Sequence, residues 1–452
     1  MIERPFSSIF NNITINSDAT NGTGTYIEAD GSSLVGVTAN VNQNFQNLYR
    51  SWYMSSPVAA AAPTGMNRIK YYNEADNTWP LFSTGTMEVG KGYLVVPDND
   101  DAAVLFSGAL NTGNKTITLA RTTNAPKAGF NLIGNPYPSY LNWQRVYAAN
   151  SAKLEYNSIW YRTKSGSYTF WTVNGSTGIG SPLEASNLIP PTQAFWVKAL
   201  TDGSQLNLTN AMRAHAPATN KLLKAPAVNV SETSLLRLQV NDGSTTDEAV
   251  LYFSANSTEG MDATDSPKMP NDDETVPEIY TTIGNEKIVI NGMNAIPMDE
   301  EIGLGFKAST ATSFSLKANE LKNIPSDVKV ILKDNITTDE TDLTDGQTLY
   351  NFSPLATTTN RFSIIFRSNG ATTKIKNTNI DNSVLVYSAV QSKITVVNKS
   401  INAEILVAVY NSVGQKLMSQ KLSQSTQMLD GNFKTGIYFV KYNNATKKVN
   451  VR

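Results

Sequence analysis

Short runs rich in Val, Ile, Thr, Tyr and Phe, each closed by Gly, Pro, Asn or Asp, succeed one another along nearly the whole chain. Examples are Gly92-Tyr-Leu-Val-Val96, Lys115-Thr-Ile-Thr-Leu119, Lys287-Ile-Val-Ile290 and Arg361-Phe-Ser-Ile-Ile-Phe366. Turn residues arrive about every 8–12 positions, the spacing of antiparallel sandwiches and barrels. Alternation inside the runs sends successive side chains to opposite faces of a strand. The fold class that follows is all-β, built from tandem sandwich-like modules. With 452 residues the chain is also too long for one ordinary core and divides into several.

Missing residue types exclude several chemistries. There is no Cys, so disulfide frameworks, thiol nucleophiles and thiolate metal sites are out. The single His, His215, would have to serve any Ser-His-Asp site, yet it sits in Arg213-Ala-His-Ala-Pro217, which reads as a linker. Lys plus Arg number 37 against 38 Asp plus Glu, a balance that argues against a nucleic-acid partner. No apolar run reaches the roughly 18 residues of a membrane helix, so no transmembrane segment is expected. The opening Met1-Ile-Glu-Arg-Pro-Phe6 lacks a cationic stretch followed by an apolar one. Either the chain stays in the cell or this start is internal.

Composition divides the chain. Residues 1–48 alternate like the end of a β-stack or β-helical region, and residues 49–216 hold all six tryptophans. A Pro/Ala/Lys-rich linker, 217–227, precedes a second β-sandwich block, 228–369. Residues 370–382 read as a flexible tether, and 383–452 as a small immunoglobulin-like antiparallel sandwich. Pro190-Pro191 is a candidate for a cis bond.

Two features carry candidate chemistry. An acidic loop supplies Asp262, Asp265, Asp272, Asp273 and Glu274, with Asp247 nearby in sequence. Calcium needs six to eight hard oxygens, and such loops provide them, but the spacing is not that of an EF-hand. The open alternatives are solvated loop acids, a structural calcium and, last, catalytic carboxylates; no other cofactor is expected. Trp52, Trp79, Trp143, Trp160, Trp171 and Trp196 either pack sandwich cores or present a sugar-stacking face. No residue is read as catalytic.

The last block holds three informative segments: Ile405-Leu-Val-Ala-Val-Tyr-Asn-Ser-Val-Gly-Gln-Lys-Leu417, Thr435-Gly-Ile-Tyr-Phe-Val-Lys-Tyr442 and Asn444-Ala-Thr-Lys-Lys-Val-Asn-Val-Arg452. Gly414 allows a tight turn, and Gly436 admits the chain to a strand. Tyr438 and Val440 should share one face of that strand, opposite Ile437 and Phe439. Lys447 and Lys448 on a final edge strand, beside Val449 and Val451, discourage stray pairing.

In order and spacing these segments resemble the C-terminal sorting domain of type IX (Por) secretion system cargo of Bacteroidota. The resemblance implies export to the outer-membrane surface or beyond, and a translocon and sorting machinery that reads the terminal hairpin. It also implies cleavage in the tether. Arg50-Ser-Trp-Tyr-Met-Ser-Ser-Pro57, Gly90-Lys-Gly-Tyr93, Gly129-Phe-Asn-Leu-Ile-Gly-Asn-Pro-Tyr-Pro138 and Pro190-Pro-Thr-Gln-Ala-Phe-Trp196 resemble segments of large exoproteins of that phylum. So do Thr245-Thr-Asp247, Gly260-Met-Asp262 through Lys268, and Asn360-Arg-Phe362. The expected function is therefore a non-enzymatic, adhesive or structural surface protein. The alternative is a carbohydrate-binding or glycan-processing exoprotein whose catalytic part lies outside this chain, with surface glycans as partners.

Overall fold

Strand Asn12–Ser17 alternates exposed and buried positions, and its Ile15 enters a core with Val41, Trp52, Tyr93, Val95 and Phe106. The strand runs parallel to Thr38–Asn44, which pairs antiparallel with Ala103–Gly108. A second small sheet, Trp52–Met54, Tyr93–Pro97 and Met66–Tyr71, covers the same core. The boundary expected at residue 48 runs through this core, because Ile15, Ala39 and Val41 share it with Trp52, Tyr93 and Phe106. These observations come from a computed structural model that describes residues 12–18, 20, 22–28, 34, 36–44, 50–83, 85–98, 103–162, 170–215, 233–271, 274–354, 361–369, 384–388, 390–398, 405–442 and 445–451. The linker 217–227 and the tether 370–382 lie outside the described residues.

The next core belongs to a five-stranded sheet ordered Gly180–Ser181, Trp171–Asn174, Ser158–Tyr161, Ala194–Lys198, Phe130–Gly134. The α-helix Trp143–Asn150 packs beside it, and Asn142 caps that helix by accepting from Arg145 N at 3.2 Å. Four of the exoprotein-like segments meet at the junction of these two cores. Gly134 N donates to Gly90 O, Gly92 N to Leu132 O, Ser55 N to Thr192 O and Asn135 N to Gln193 O. A Cβ on Gly134 would stand 2.0 Å from Ser55 Cβ, so only glycine allows this approach. Asn135 Nδ2 donates to Ser139 O, Ile189 O and Pro190 O, while its Oδ1 accepts from Tyr137 N. The double-proline segment is thus a buried fastening in which a polar side chain replaces strand pairing. The cis X-Pro bond is Ser181-Pro182, and Pro190-Pro191 is trans.

Residues 234–368 form an eleven-stranded sheet that folds around one core of Leu236, Leu238, Leu251, Phe306, Phe314, Phe362 and Phe366, among others. It is antiparallel except where Thr246–Phe253 runs parallel to Glu286–Met293. This block is joined to the tryptophan-rich one by buried hydrogen bonds. Trp160 Nε1 donates to Pro267 O at 2.9 Å, Asn174 Nδ2 to Asp265 O at 3.1 Å and Arg237 Nη1 to Gly180 O at 2.8 Å. Residues 1–369 accordingly form one unit and residues 370–452 a second.

The second unit is a seven-stranded antiparallel sandwich. One sheet is ordered Val384–Tyr387, Thr395–Asn398, Thr426–Met428; the other Lys416–Lys421, Leu406–Asn411, Gly436–Tyr442, Ala445–Val451. Val384, Val396, Val407, Val409, Tyr442 and Val451 meet between them. No helix among the described residues is long and apolar enough to cross a membrane.

Candidate functional site: the closing hairpin of the C-terminal unit

The hairpin is Gly436–Tyr442 against Ala445–Val451, in a register that sets Tyr438 opposite Val449, Phe439 opposite Lys448 and Val440 opposite Lys447. Tyr438, Val440, Val449 and Val451 point into the sandwich core. Ile437 is exposed and Phe439 half-buried, as the alternation requires. The Tyr438 hydroxyl donates to Lys434 O at 2.8 Å, and its ring lies edge-on to Phe433. The strand entry is therefore held by a side chain as well as by the ladder. Ala445–Val451 ends the sheet order, so its outer edge faces no strand within the sheet. Lys448 is exposed there and Lys447 half-buried. A cationic edge of this kind resists pairing with arbitrary strands.

Gly414 sits in the Asn411–Gln415 turn at φ +82°, the left-handed region that favours glycine. Asn411 Oδ1 accepts from Val413 N and Gln415 N, which sets the turn from within. At Gly436 φ is +157°, still within the positive range that favours glycine, although an added Cβ would meet only ordinary contacts. Beside the turn lies a shallow depression of about 350 Å³, lined by Tyr410, Phe439, Lys441 and Thr446 with the turn itself. Seven of the fifteen large apolar side chains exposed among the described residues belong to this small unit, Leu406, Val413, Leu417 and Ile437 among them.

The acidic loop is committed to its own backbone. Asp262 Oδ1 accepts from Thr264 N and Oγ1, and Oδ2 from Thr258 N and Oγ1. Burial raises Asp262's carboxyl, but the Thr264 and Thr258 donors outweigh it and hold the group below its usual range. Asp265 accepts from Asp262 N and Gly292 N, yet burial dominates and pushes it up to about 6. Glu274 is exposed, and Asp272 and Asp273 lie outside the described residues. Among the described residues no three His, Cys, Asp or Glu side chains cluster as a metal site.

Five tryptophans are buried; Trp79 is half-buried and stacks parallel to Tyr53, with centroids 6.2 Å apart. His215 Nδ1 lies 3.0 Å from Thr25 Oγ1. Sequence reasoning missed one constellation. Asp247 pairs with Lys268 at 2.6 Å, both side chains nearly inaccessible, and Glu278 is buried beside them with Oε2 unpartnered. Asp247 and Lys268 each fall in an exoprotein-like segment, but no periodicity shows that these two segments converge.

Residues 390–452 match the family described as a secretion system C-terminal sorting domain. The chain is thus cargo of the type IX system, exported to the cell surface or released. No curated protein matches it. Residues 9–366 match the family described as a domain of unknown function, DUF8693, and on that extent of match the chain is a member of this family, joined to a C-terminal sorting domain.

Proposed function

We propose that the protein is a non-enzymatic adhesive or structural exoprotein, displayed or released by the type IX route, with the closing hairpin as the element its translocon reads. The observation that carries this reading is the C-terminal unit itself. It has its own core, ends its sheet on a cationic edge strand, and bears a disproportionate share of exposed apolar side chains. In the larger unit, the segments that recur in exoproteins are joined to one another by buried backbone hydrogen bonds, the arrangement of a scaffold. Its tryptophans serve mainly as core.

Carbohydrate binding is the second reading, and Trp79 with Tyr53 and Tyr72 is what favours it. Tyr72 lies 5.4 Å from Trp79, giving a partly open aromatic surface on which a sugar ring can stack.

The test is export of a reporter fused to residues 370–452 in a host with a type IX system. Surface or medium signal that is lost on deleting residues 436–452 is expected. Export unchanged by that deletion overturns the hairpin as the element read.

A further inference from the structure

Residues directly opposite each other on neighbouring strands share a face of the sheet, so register fixes what the face displays. In the four-stranded sheet of the terminal unit, Lys416 lies opposite Tyr410, Tyr410 opposite Phe439, and Phe439 opposite Lys448. The next row runs from Ala408 to Lys441 to Thr446. The positions between them, Val407, Val409, Tyr438, Val440 and Val449, fill the core, so both rows face outward. Lys416, Lys441 and Lys448 are exposed there. Leu406 and Ile437 belong to the same face and are 60% and 41% exposed; Val413, at the tip of the bordering turn, is 84% exposed. None of the four strands contains an Asp or Glu.

Charge along the whole chain divides in the same sense. Residues 383–452 hold nine Lys and Arg against two Asp and Glu, while residues 1–382 hold 28 against 36. A near-neutral total therefore combines a strongly cationic tail with an anionic body. The cations in the four strands are all lysines. Protein interfaces favour arginine, whose planar fork pairs with carboxylates in fixed geometry, and are depleted in lysine. Lysine is a hydrated point charge on a long apolar stem, which suits a diffuse layer of phosphates over a hydrocarbon boundary.

We propose that this face docks the terminal unit on an anionic lipid surface. Leu406, Val413 and Ile437 enter the headgroup boundary, and Lys416, Lys441 and Lys448 reach the lipid phosphates around them. Exported cargo meets an envelope membrane before it leaves the cell, and a tail held on that membrane searches for its translocon in two dimensions.

Cosedimentation of the full chain with vesicles tests this. Vesicles of phosphatidylcholine with about a third phosphatidylglycerol should bind the chain, and pure phosphatidylcholine should not. Binding should fall away as salt rises to about 0.5 M. Lys416→Gln, Lys441→Gln and Lys448→Gln together should weaken it about a hundredfold, near fivefold for each lysine, with circular dichroism unchanged. No binding, or equal binding to both vesicles, overturns the proposal; the first result would leave an acidic protein as the partner of this face. An equal loss when Lys70, Lys115 and Lys317 of the larger unit are changed to Gln also overturns it, because net charge and not this face would then decide binding. Leu406→Gln with Ile437→Gln should weaken binding too, and unchanged binding overturns the part assigned to the apolar side chains. The translocon is absent from this assay, so its outcome is separate from whether the machinery reads the closing hairpin.

Discussion

Arg213 Nη1 donates to Glu28 Oε2 at 2.5 Å, across 185 residues of sequence. The guanidinium also donates to Ser139 Oγ and Tyr26 O, and it lies over the Tyr137 ring. The pair is buried, with side chains 0% and 6% exposed. One cation therefore holds the first segment of the chain against the double-proline loop. Removing either partner leaves the other charge desolvated and unpaired. Arg213→Met should lower unfolding stability by about 3–5 kcal/mol, read from the urea midpoint. A loss under about 1 kcal/mol would mean that the pair is effectively solvated.

Asp334 and Arg361 make a comparable lock inside the large sheet. Arg361 Nε and Nη2 both donate to Asp334 Oδ2, at 3.0 and 2.8 Å, and the Tyr350 hydroxyl donates to the same oxygen. Arg361→Lys keeps the charge but loses the fork, and should cost about 1–3 kcal/mol in the same assay. Equal stability of the two proteins would contradict the geometry.

Two opposed titrations predict a stability maximum on the acid side of neutrality. Burial pushes Asp265 to about 6, above its unfolded value. The folded chain thus takes up this proton before the unfolded chain does, and stability rises as pH falls from 7 toward 4. A gain of about 1–3 kcal/mol is expected. Glu28 and Asp334 behave oppositely. Burial raises each, but the arginine partners outweigh it and hold both below the usual carboxylate range. Their contribution is present above the unfolded value and is lost as pH falls through the folded one. Denaturant midpoints across pH, with Asp265→Asn flattening the rise between pH 7 and about 4, provide the check.

Export should depend on outward-facing side chains of the sheet that holds the closing hairpin rather than on its core alone. Ile437→Asp with Leu406→Asp changes two exposed side chains, 41% and 60% accessible, so folding should be unaffected. A reporter carrying this tail should reach the surface at least about tenfold less, the change expected when a docking contact of about 1.4 kcal/mol is lost. Wild-type export by a folded double variant would move recognition to another face.

Trp79→Ala separates the two functional readings. If glycan-array binding exists and disappears in this variant, the aromatic surface binds sugar. If binding persists, Trp79 is a packing residue and the carbohydrate reading loses its support.

Much of the architecture was legible without coordinates because strands and turns are local. Alternation in Gly436–Tyr442 predicted that Tyr438 and Val440 share one face, and the structure makes that face the buried one. What the acids do was not legible. Asp262 and Asp265 look alike in sequence, yet threonine donors lower one and burial raises the other.

By itself the sequence determined the β class, the small terminal sandwich and the export address, since periodicity, turn residues and the terminal segments are properties of neighbouring positions. Only the tertiary structure decided that the first strands share a core with Trp52 and Phe106, that most tryptophans are buried, and that Asp247 meets Lys268. Those outcomes depend on which distant segments converge and exclude water, and the one-dimensional pattern does not contain that information.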